Sequence, residues 1–515
     1  MKDSHPRMKF PGNNESMGFA NIRCERTKQF LNHTLKMAPK HTRKPGWLEK
    51  YYIIRNTHGF YTNFNITVRL NRHFGHSHLG SAIRELLKSN LWYCLNFFRD
   101  PKYGIGYFNG NDYHVSYVDK IMLEDVVSYR SVDAFDPSFL SEINDIVLPM
   151  NSLLLPLWRL IVFEQPDGAQ YLCGVFDHSM FDGGSGLMFL EQLVHHLSVS
   201  RDIEPKTLFQ YDTSLPPVPV ARQSVTNLYT PSISQVLSWY FHKFAPSLLL
   251  KWASKLVSWW NKNKEKPLVY PVYSNPTHNW EENNLKTSIT NINFTPLQIS
   301  RILRYCRHHN ITITPFFNVT MLQCLDKTLF KSDSTKYSTT SYIAFQGRRY
   351  FPKLAQDLLT GVWVSALGIT LPPITNPLET TKYVYGEMQK NLASRKTFKT
   401  WGMNRFFNYR QFFLGNPDSP KISLTVSNLG RVNASDDRFA IVDAYFGSCV
   451  GTNYNVILNI ISTAEGGLNA TIGYFPGFDD IYIDGKKATD ICWDMFKETI
   501  VSVSESLDGN ENIEK

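Results

Sequence analysis

Long uninterrupted apolar runs are missing from this 515-residue sequence. The longest, Leu153 to Phe163, is broken by Pro156 and Arg159 and is too short to span a bilayer. Residues Met1 to Phe10 hold no apolar signal core, so the chain is not expected to be secreted. Cysteine is sparse: seven residues, an odd number, widely spaced and without a Cys-x-x-Cys pair. That argues against a disulfide framework and a zinc site, and for a reducing compartment. Glycine-rich phosphate loops are absent, and so is the Gly-x-Ser-x-Gly elbow of many serine hydrolases. His195-His196 and His308-His309 are adjacent pairs on helical patterns, where neighbours do not face one another, so no metal is expected.

What is present describes a folded enzyme-sized chain. Hydrophobic residues make up 43% and charged residues 19%, a globular balance. The length suggests about two to four lobes. Aromatics reach 14%, which suits a large core or a wide apolar pocket. The net charge of +9 favours anionic partners such as a lipid surface or a phosphorylated cofactor. The basic residues are dispersed and carry no nucleic-acid signature, so no nucleic acid is expected.

Patterning predicts mixed strands and helices in both halves. Residues 61–70 and 91–98 read as strands and 77–90 as a helix. Residues 158–164 and 169–176 read as a hairpin around Pro166-Asp167-Gly168. After Gly183 and Gly184, Ser185 is the expected cap of a helix with Leu187, Leu190, Val194 and Leu197 on one face. The stretch 202–232 is rich in Pro and Ser and reads as a crossover. In the second half, Thr295-Pro296 and Thr314-Pro315 are helix starts. Strands are expected at 341–346, 421–427, 454–463 and 468–474. The organisation is a basic extension (1–40), a first lobe (41–215), a crossover (216–275), a second lobe (276–505) and a tail (506–515). Within the crossover, 246–261 sets Lys251, Ser254, Lys255 and Ser258 against Leu248, Trp252, Leu256 and Trp259. Such a helix lies in a membrane interface or packs on a core, the second being the commoner fate.

One segment carries chemistry: His178-Ser179-Met180-Phe181-Asp182-Gly183, at the end of the hairpin and before a helix. Transfer to an alcohol or amine needs a base near neutrality, which histidine supplies. Asp182 either faces His178 or turns away to hold the loop. Gly183 and Gly184 permit backbone angles that other residues resist. By pattern alone, a histidine satisfied at a strand end is an equal alternative.

Together with other blocks, this segment resembles the signature of the CoA-dependent acyltransferase superfamily, which includes chloramphenicol acetyltransferases, plant BAHD enzymes and peptide-synthetase condensation domains. More closely, the chain is similar to the fungal alcohol O-acetyltransferase family. The blocks are Arg43-Lys44-Pro45-Gly46-Trp47-Leu48-Glu49, Pro156-Leu157-Trp158-Arg159-Leu160, Thr312-Ile313-Thr314-Pro315-Phe316 and Ser427-Asn428-Leu429-Gly430, in that order. The region from Ala440 to Thr463 looks more like a yeast subgroup that N-acetylates sphingoid-like amines.

The resemblance implies an α/β (α+β) fold of two chloramphenicol-acetyltransferase-like lobes with a tunnel between them. It implies His178 as general base, with direct attack on acetyl-CoA and no acyl-enzyme. Asp182 would be a structural organiser beside Gly183, held by an arginine for which Arg348 and Arg349 are candidates. Ser427, Asn428 and Arg348 are candidate contacts for the oxyanion or CoA. A tight turn capped by Asn428, and a solvated arginine pair, are equal alternatives. Acetyl-CoA is expected as co-substrate, with no bound cofactor, and an alcohol or amine as acceptor. The chain is expected to be a cytoplasmic monomer, with peripheral contact at the endoplasmic reticulum or lipid droplets through 246–261. Pro45 and the bulky Phe181 depart from the family pattern and leave the acceptor open. Two other functions remain: condensation-type amide formation from a carrier-bound or aminoacyl donor, and non-catalytic lipid binding.

Overall fold

The computed structural model describes residues 41–100, 110–200, 205–244, 272–273, 286–330, 336–409, 421–433 and 438–511. The segment 246–261 lies outside the described residues. The chain divides into two compact units, Met1–His41 and Thr42–Lys515, and the second contains all the elements below.

Two large sheets organise this unit. The first has five strands in the order Ile441–Ser448, Phe64–Leu70, Gln170–Phe176, Trp158–Glu164, Val127–Ser131. Neighbours are antiparallel except the last pair, which is parallel. Phe64–Leu70 and Gln170–Phe176 are buried almost throughout, because both faces are covered. Leu79, Ile83 and Leu86 of helix His76–Ser89, and Leu190, Val194 and Leu197 of helix Gly183–Val199, belong to the core around Ile66, Val68 and Leu172.

The second sheet has six strands: Ser288–Phe294, Leu468–Tyr474, Tyr454–Ser462, Ile422–Arg431, Thr339–Gln346 and Val364–Leu371. Strand side chains alternate between faces, and here the two faces differ. Ile343, Phe345, Leu424, Val426 and Leu458 share a core with Phe317, Leu322 and Phe496 from the helices Ile313–Lys327 and Ala488–Glu511. Tyr342, Ala344, Gln346, Thr425 and Ser427 lie on the opposite face and are partly exposed. That wetter face looks toward the first lobe.

One strand laces the halves together. Ile441–Ser448 leaves the second half of the chain and pairs with Phe64–Leu70, Ser448 opposite Phe64 and Ala444 opposite Val68. Residues 449–453 then lead straight into Tyr454–Ser462 of the other sheet.

The hairpin Trp158–Glu164/Gln170–Phe176 forms as the sequence predicts. Residues 91–98 differ: Leu91–Cys94 is a 3₁₀ turn, and the strand is Leu95–Arg99. The Asn90 side chain accepts from the Trp92 N–H at 3.2 Å, and this local bond competes with a sheet ladder. The helix expected from Thr314-Pro315 begins two residues earlier, at Ile313. Pro315 sits in the first turn, where its missing N–H has no intrahelical partner to lose. The described part of the crossover up to Arg222 is anchored. Thr207–Gln210 pairs with Lys120–Met122, and buried Arg222 stacks 4.1 Å over Trp92 and donates to the Asp357 carbonyl at 2.9 Å.

Candidate active site

The histidine segment starts where Gln170–Phe176 ends. The Asp177 N–H donates to the Leu157 carbonyl (3.1 Å), the last backbone bond of the hairpin. Its carboxylate accepts from the Ser179 N–H (2.8 Å), the Ser179 hydroxyl and the Asn56 amide. Its carbonyl accepts from Met180 and Phe181. This closed turn fixes the direction of His178. Burial raises the Asp177 carboxyl to about 6, against the pull of the Ser179 and Asn56 bonds.

The His178 ring lies flat on Tyr52, centroids 4.2 Å apart and 3° from parallel. Phe64 and Tyr61 meet it edge-on at 5.3 and 6.0 Å. The residue is partly exposed. Its Nδ1 is buried and has no hydrogen-bond partner among the described residues. Burial, and then the charge of Arg55, push the imidazole down to about 4; the Asp182 charge and the carbonyls of His178 and Phe181 oppose this. His178 is therefore neutral at physiological pH.

Asp182 turns away from His178. Arg348 holds it through a two-pronged pair, Nη1 to Oδ2 at 2.9 Å and Nη2 to Oδ1 at 2.7 Å. The N–H groups of Ser185 (2.8 Å) and Trp363 (2.7 Å) donate to the same carboxylate. Burial alone would raise this carboxyl, but Arg348 and the two N–H groups hold it below its ordinary range. Asp182, not Ser185, is thus the cap of helix Gly183–Val199: a carboxylate at a helix N-terminus meets both an orphan N–H and the helix dipole. Of the two arginines proposed for Asp182, Arg348 makes the pair. Its remaining bonds go to the Ser185 hydroxyl, the Gly361 carbonyl and the Leu359 carbonyl, so it is a strut of the loop rather than a CoA contact. Arg349 is exposed.

Gly183 and Gly184 matter for space rather than for unusual angles; neither has a positive φ. A Cβ on Gly184 would stand 2.3 Å from the Gln346 amide nitrogen and 2.8 Å from Arg348 Nη1. One on Gly183 would stand 2.8 Å from Leu429. These glycines let the second lobe close on the motif.

Where the lobes meet, Asp182–Gly184 and the segment Ser427–Gly430 line a cleft of about 490 Å³, with Arg349 at its margin. Asn428 is engaged: its amide donates to Thr314 Oγ1 (3.0 Å) and its oxygen accepts from the Gly430 N–H (2.8 Å). The segment is not the expected tight turn: it stays within the strand Ile422–Arg431, with a β-bulge between Asn428 and Gly430, and Gly430 is at φ +80°. The Ser427 side chain lines the cleft.

Sequence reading missed a second constellation, on helix Trp47–Thr57. Glu49 caps this helix through the Gly46 N–H (2.7 Å) and is gripped by Arg43 at 2.7 Å on both oxygens, which accounts for the Arg-x-x-Gly-x-x-Glu block. Gly46 has no room for a Cβ, because the Gln223 amide lies 1.3 Å from where it would stand. One helical stripe then carries Leu48, Tyr51, Tyr52 and Arg55, all buried. Arg55 is 4% exposed, with its guanidinium carbon 4.3 Å from the Tyr61 ring and 5.4 Å from the Tyr454 ring of the second lobe. The signal was legible: a lone arginine on an otherwise aromatic and aliphatic stripe. Tyr454 pairs with Ile422, five residues before Ser427 in the adjacent strand, so the Arg55 cluster and the Ser427 cleft lie about 16 Å apart along the sheet.

The profile of the alcohol acetyltransferase family matches residues 44–367. No curated protein matches the chain. Among solved structures, TRI3 trichothecene 15-O-acetyltransferase from Fusarium sporotrichioides is similar at 10% identity and a TM-score of 0.59, over 90% of this chain and 95% of that one. The condensation domain of the monacolin K polyketide synthase MokA is similar at 13% identity and a TM-score of 0.55, over 92% and 98%. Polyketide synthase associated protein 5 from Mycobacterium tuberculosis is similar at 11% identity and a TM-score of 0.55, over 90% and 99%. At these identities the likeness is one of fold: the mixed α/β architecture is that of condensation domains and related acetyltransferases.

Proposed function

The chain belongs to the alcohol acetyltransferase family, and from that premise we propose that it moves an acetyl group from acetyl-CoA to the hydroxyl or amine of a small or lipophilic acceptor, with His178 as general base. The acceptor's O–H or N–H gives its proton to His178 Nε2 while its oxygen or nitrogen attacks the thioester carbonyl. The tetrahedral intermediate then expels the CoA sulfur, which takes the proton back from His178. No acyl-enzyme forms.

The observation that carries this reading is His178 itself. It is a neutral, partly exposed imidazole on a loop whose other polar side chains, Asp177, Ser179 and Asp182, are hydrogen-bonded elsewhere. Asp182 acts through position, by fixing the loop against Arg348. The cleft between Gly183–Gly184 and Ser427 is the donor's side in this scheme. The exposed guanidinium of Arg349 at its margin, and the net charge of +9, suit the phosphates of CoA. Ser427 is the candidate donor to the oxyanion. A lipophilic acceptor fits helix Ile233–Phe244, which leaves Ile233 80% and Leu237 63% exposed four residues apart on one face. Among the described residues, no helix is long and apolar enough to cross a membrane.

Free CoA release from acetyl-CoA tests the proposal, with isoamyl alcohol, a sphingoid base and a buffer blank in parallel. Release is expected to require an acceptor and to fall about 10²- to 10⁴-fold in His178→Ala, the usual worth of general base catalysis. Acceptor-dependent release that survives in His178→Ala refutes the role of the base. Absence of release with every acceptor, from folded protein, counts against acetyl transfer.

A further inference from the structure

We propose that Arg55, on the aromatic helix beside His178, is the receptor for a carboxylate carried by the acceptor. The inference rests on the acyltransferase reading and names the acceptor's class: a short hydroxy or amino acid, or a derivative that keeps its carboxylate.

The argument starts from an unmet demand. Arg55 is 4% exposed, yet its Nε and Nη2 have no hydrogen-bond partner among the described residues. These are not two arbitrary atoms. Nε–H and the Nη2–H beside it point from the same edge of the guanidinium plane, the fork that takes the two oxygens of a carboxylate. A guanidine does not relieve the demand by losing its proton. The rings of Tyr61 and Tyr454 lie against the guanidinium and favour its charge, but they accept no in-plane hydrogen bond. Nor does any described carboxylate pair with it, whereas Glu49 has Arg43 and Asp182 has Arg348.

The surroundings enclose the fork and place it in the ring cluster around His178; Nε and Nη2 are shut off from solvent, so a carboxylate reaches them by displacing the packing around them. Gly451, at φ +59°, passes so close that a Cβ there would lie 3.6 Å from Nη2 and 2.4 Å from the Phe60 carbonyl. Tyr61 is shared: its ring is 4.3 Å from the Arg55 carbon and 6.0 Å from the imidazole. A molecule with its carboxylate on Arg55 and its nucleophile at His178 would run past the Tyr61 ring that touches both. The same positive charge opposes a cationic ammonium there and favours a neutral nucleophile tethered to an anion.

The test is equilibrium binding to the full-length protein without acetyl-CoA, so that it does not depend on turnover. The probes are isovalerate and its uncharged isostere isovaleramide, titrated into wild type, Arg55→Gln and Arg55→Lys. Wild type is expected to bind the acid roughly tenfold or more tighter than the amide. The preference disappears in Arg55→Gln and is mostly lost in Arg55→Lys, whose ammonium keeps the charge but not the fork. Should the glutamine variant not fold, the lysine variant decides. Equal binding of acid and amide by wild type overturns the proposal, and so does a preference that persists undiminished in the variants. Failure of CoA release with hydroxy-acid acceptors, alongside an intact carboxylate preference, would instead count against the transfer reading.

Discussion

Two arginines stand near His178, one against the motif loop and one on the aromatic helix, and they are opposites. Arg348 meets a carboxylate with both prongs and gives its other bonds to a hydroxyl and two carbonyls. Arg55, more deeply buried, has rings on its faces and no hydrogen-bond partner on its Nε–Nη2 edge among the described residues. A satisfied buried ion is architecture. An unsatisfied one is a cost to the folded state, and such costs collect where a ligand is awaited. The motif loop and the aromatic helix therefore play different parts, though both adjoin His178.

The largest expected effect tests the architectural half. Arg348→Ala strands Asp182, whose side chain is only 3% exposed, and should destabilise the protein by about 3–5 kcal/mol in chemical denaturation. Arg55→Met removes a charge that no described side chain pairs, and should change stability by less than about 1 kcal/mol or raise it. The reverse order of the two midpoints would break the comparison. A smaller effect is expected for Gly184→Ala, which presses a methyl on Gln346 and Arg348; about 1–3 kcal/mol is the usual cost of such overpacking. Its unfolding midpoint should fall while Gly59→Ala, with open space around it, reports only the strain of its positive φ. The smallest effect is a shift in a pH profile. With His178 held down to about 4, the acid limb of kcat/KM should lie near pH 4, activity being lost only as the imidazole gains its proton below that. Burial is the main cause and Arg55 the next, so Arg55→Gln should move the limb upward, part of the way to the ordinary histidine value. Arg348→Lys should leave it in place.

Much of the fold was legible where local chemistry and tertiary placement agree. The hairpin before His178 combines β-branched and aromatic strands with a Pro-Asp-Gly turn, and it forms where expected. Thr295-Pro296 with Gln298 is a complete capping box, and the helix starts at Pro296. The strand Ile441–Ser448 was not anticipated, because nothing local says that it joins a sheet whose next strand, Phe64–Leu70, lies so far back in the chain. For the site, the motif announced His178 and Asp182, but not which way Asp182 faces. That is decided by Arg348, Ser185 and Trp363, which lie on either side of the lobe junction. Arg55 was visible only as a residue out of character with its stripe.

The lacing strand also bears on how the protein is made. Phe64–Leu70 and the hairpin that ends at His178 are synthesised early, but the sheet edge along Phe64–Leu70 stays open until Ile441–Ser448 has left the ribosome. For most of translation that edge is a bare row of N–H and C=O groups, the kind of surface chaperones guard. The half of the molecule that carries His178 is begun first and finished late.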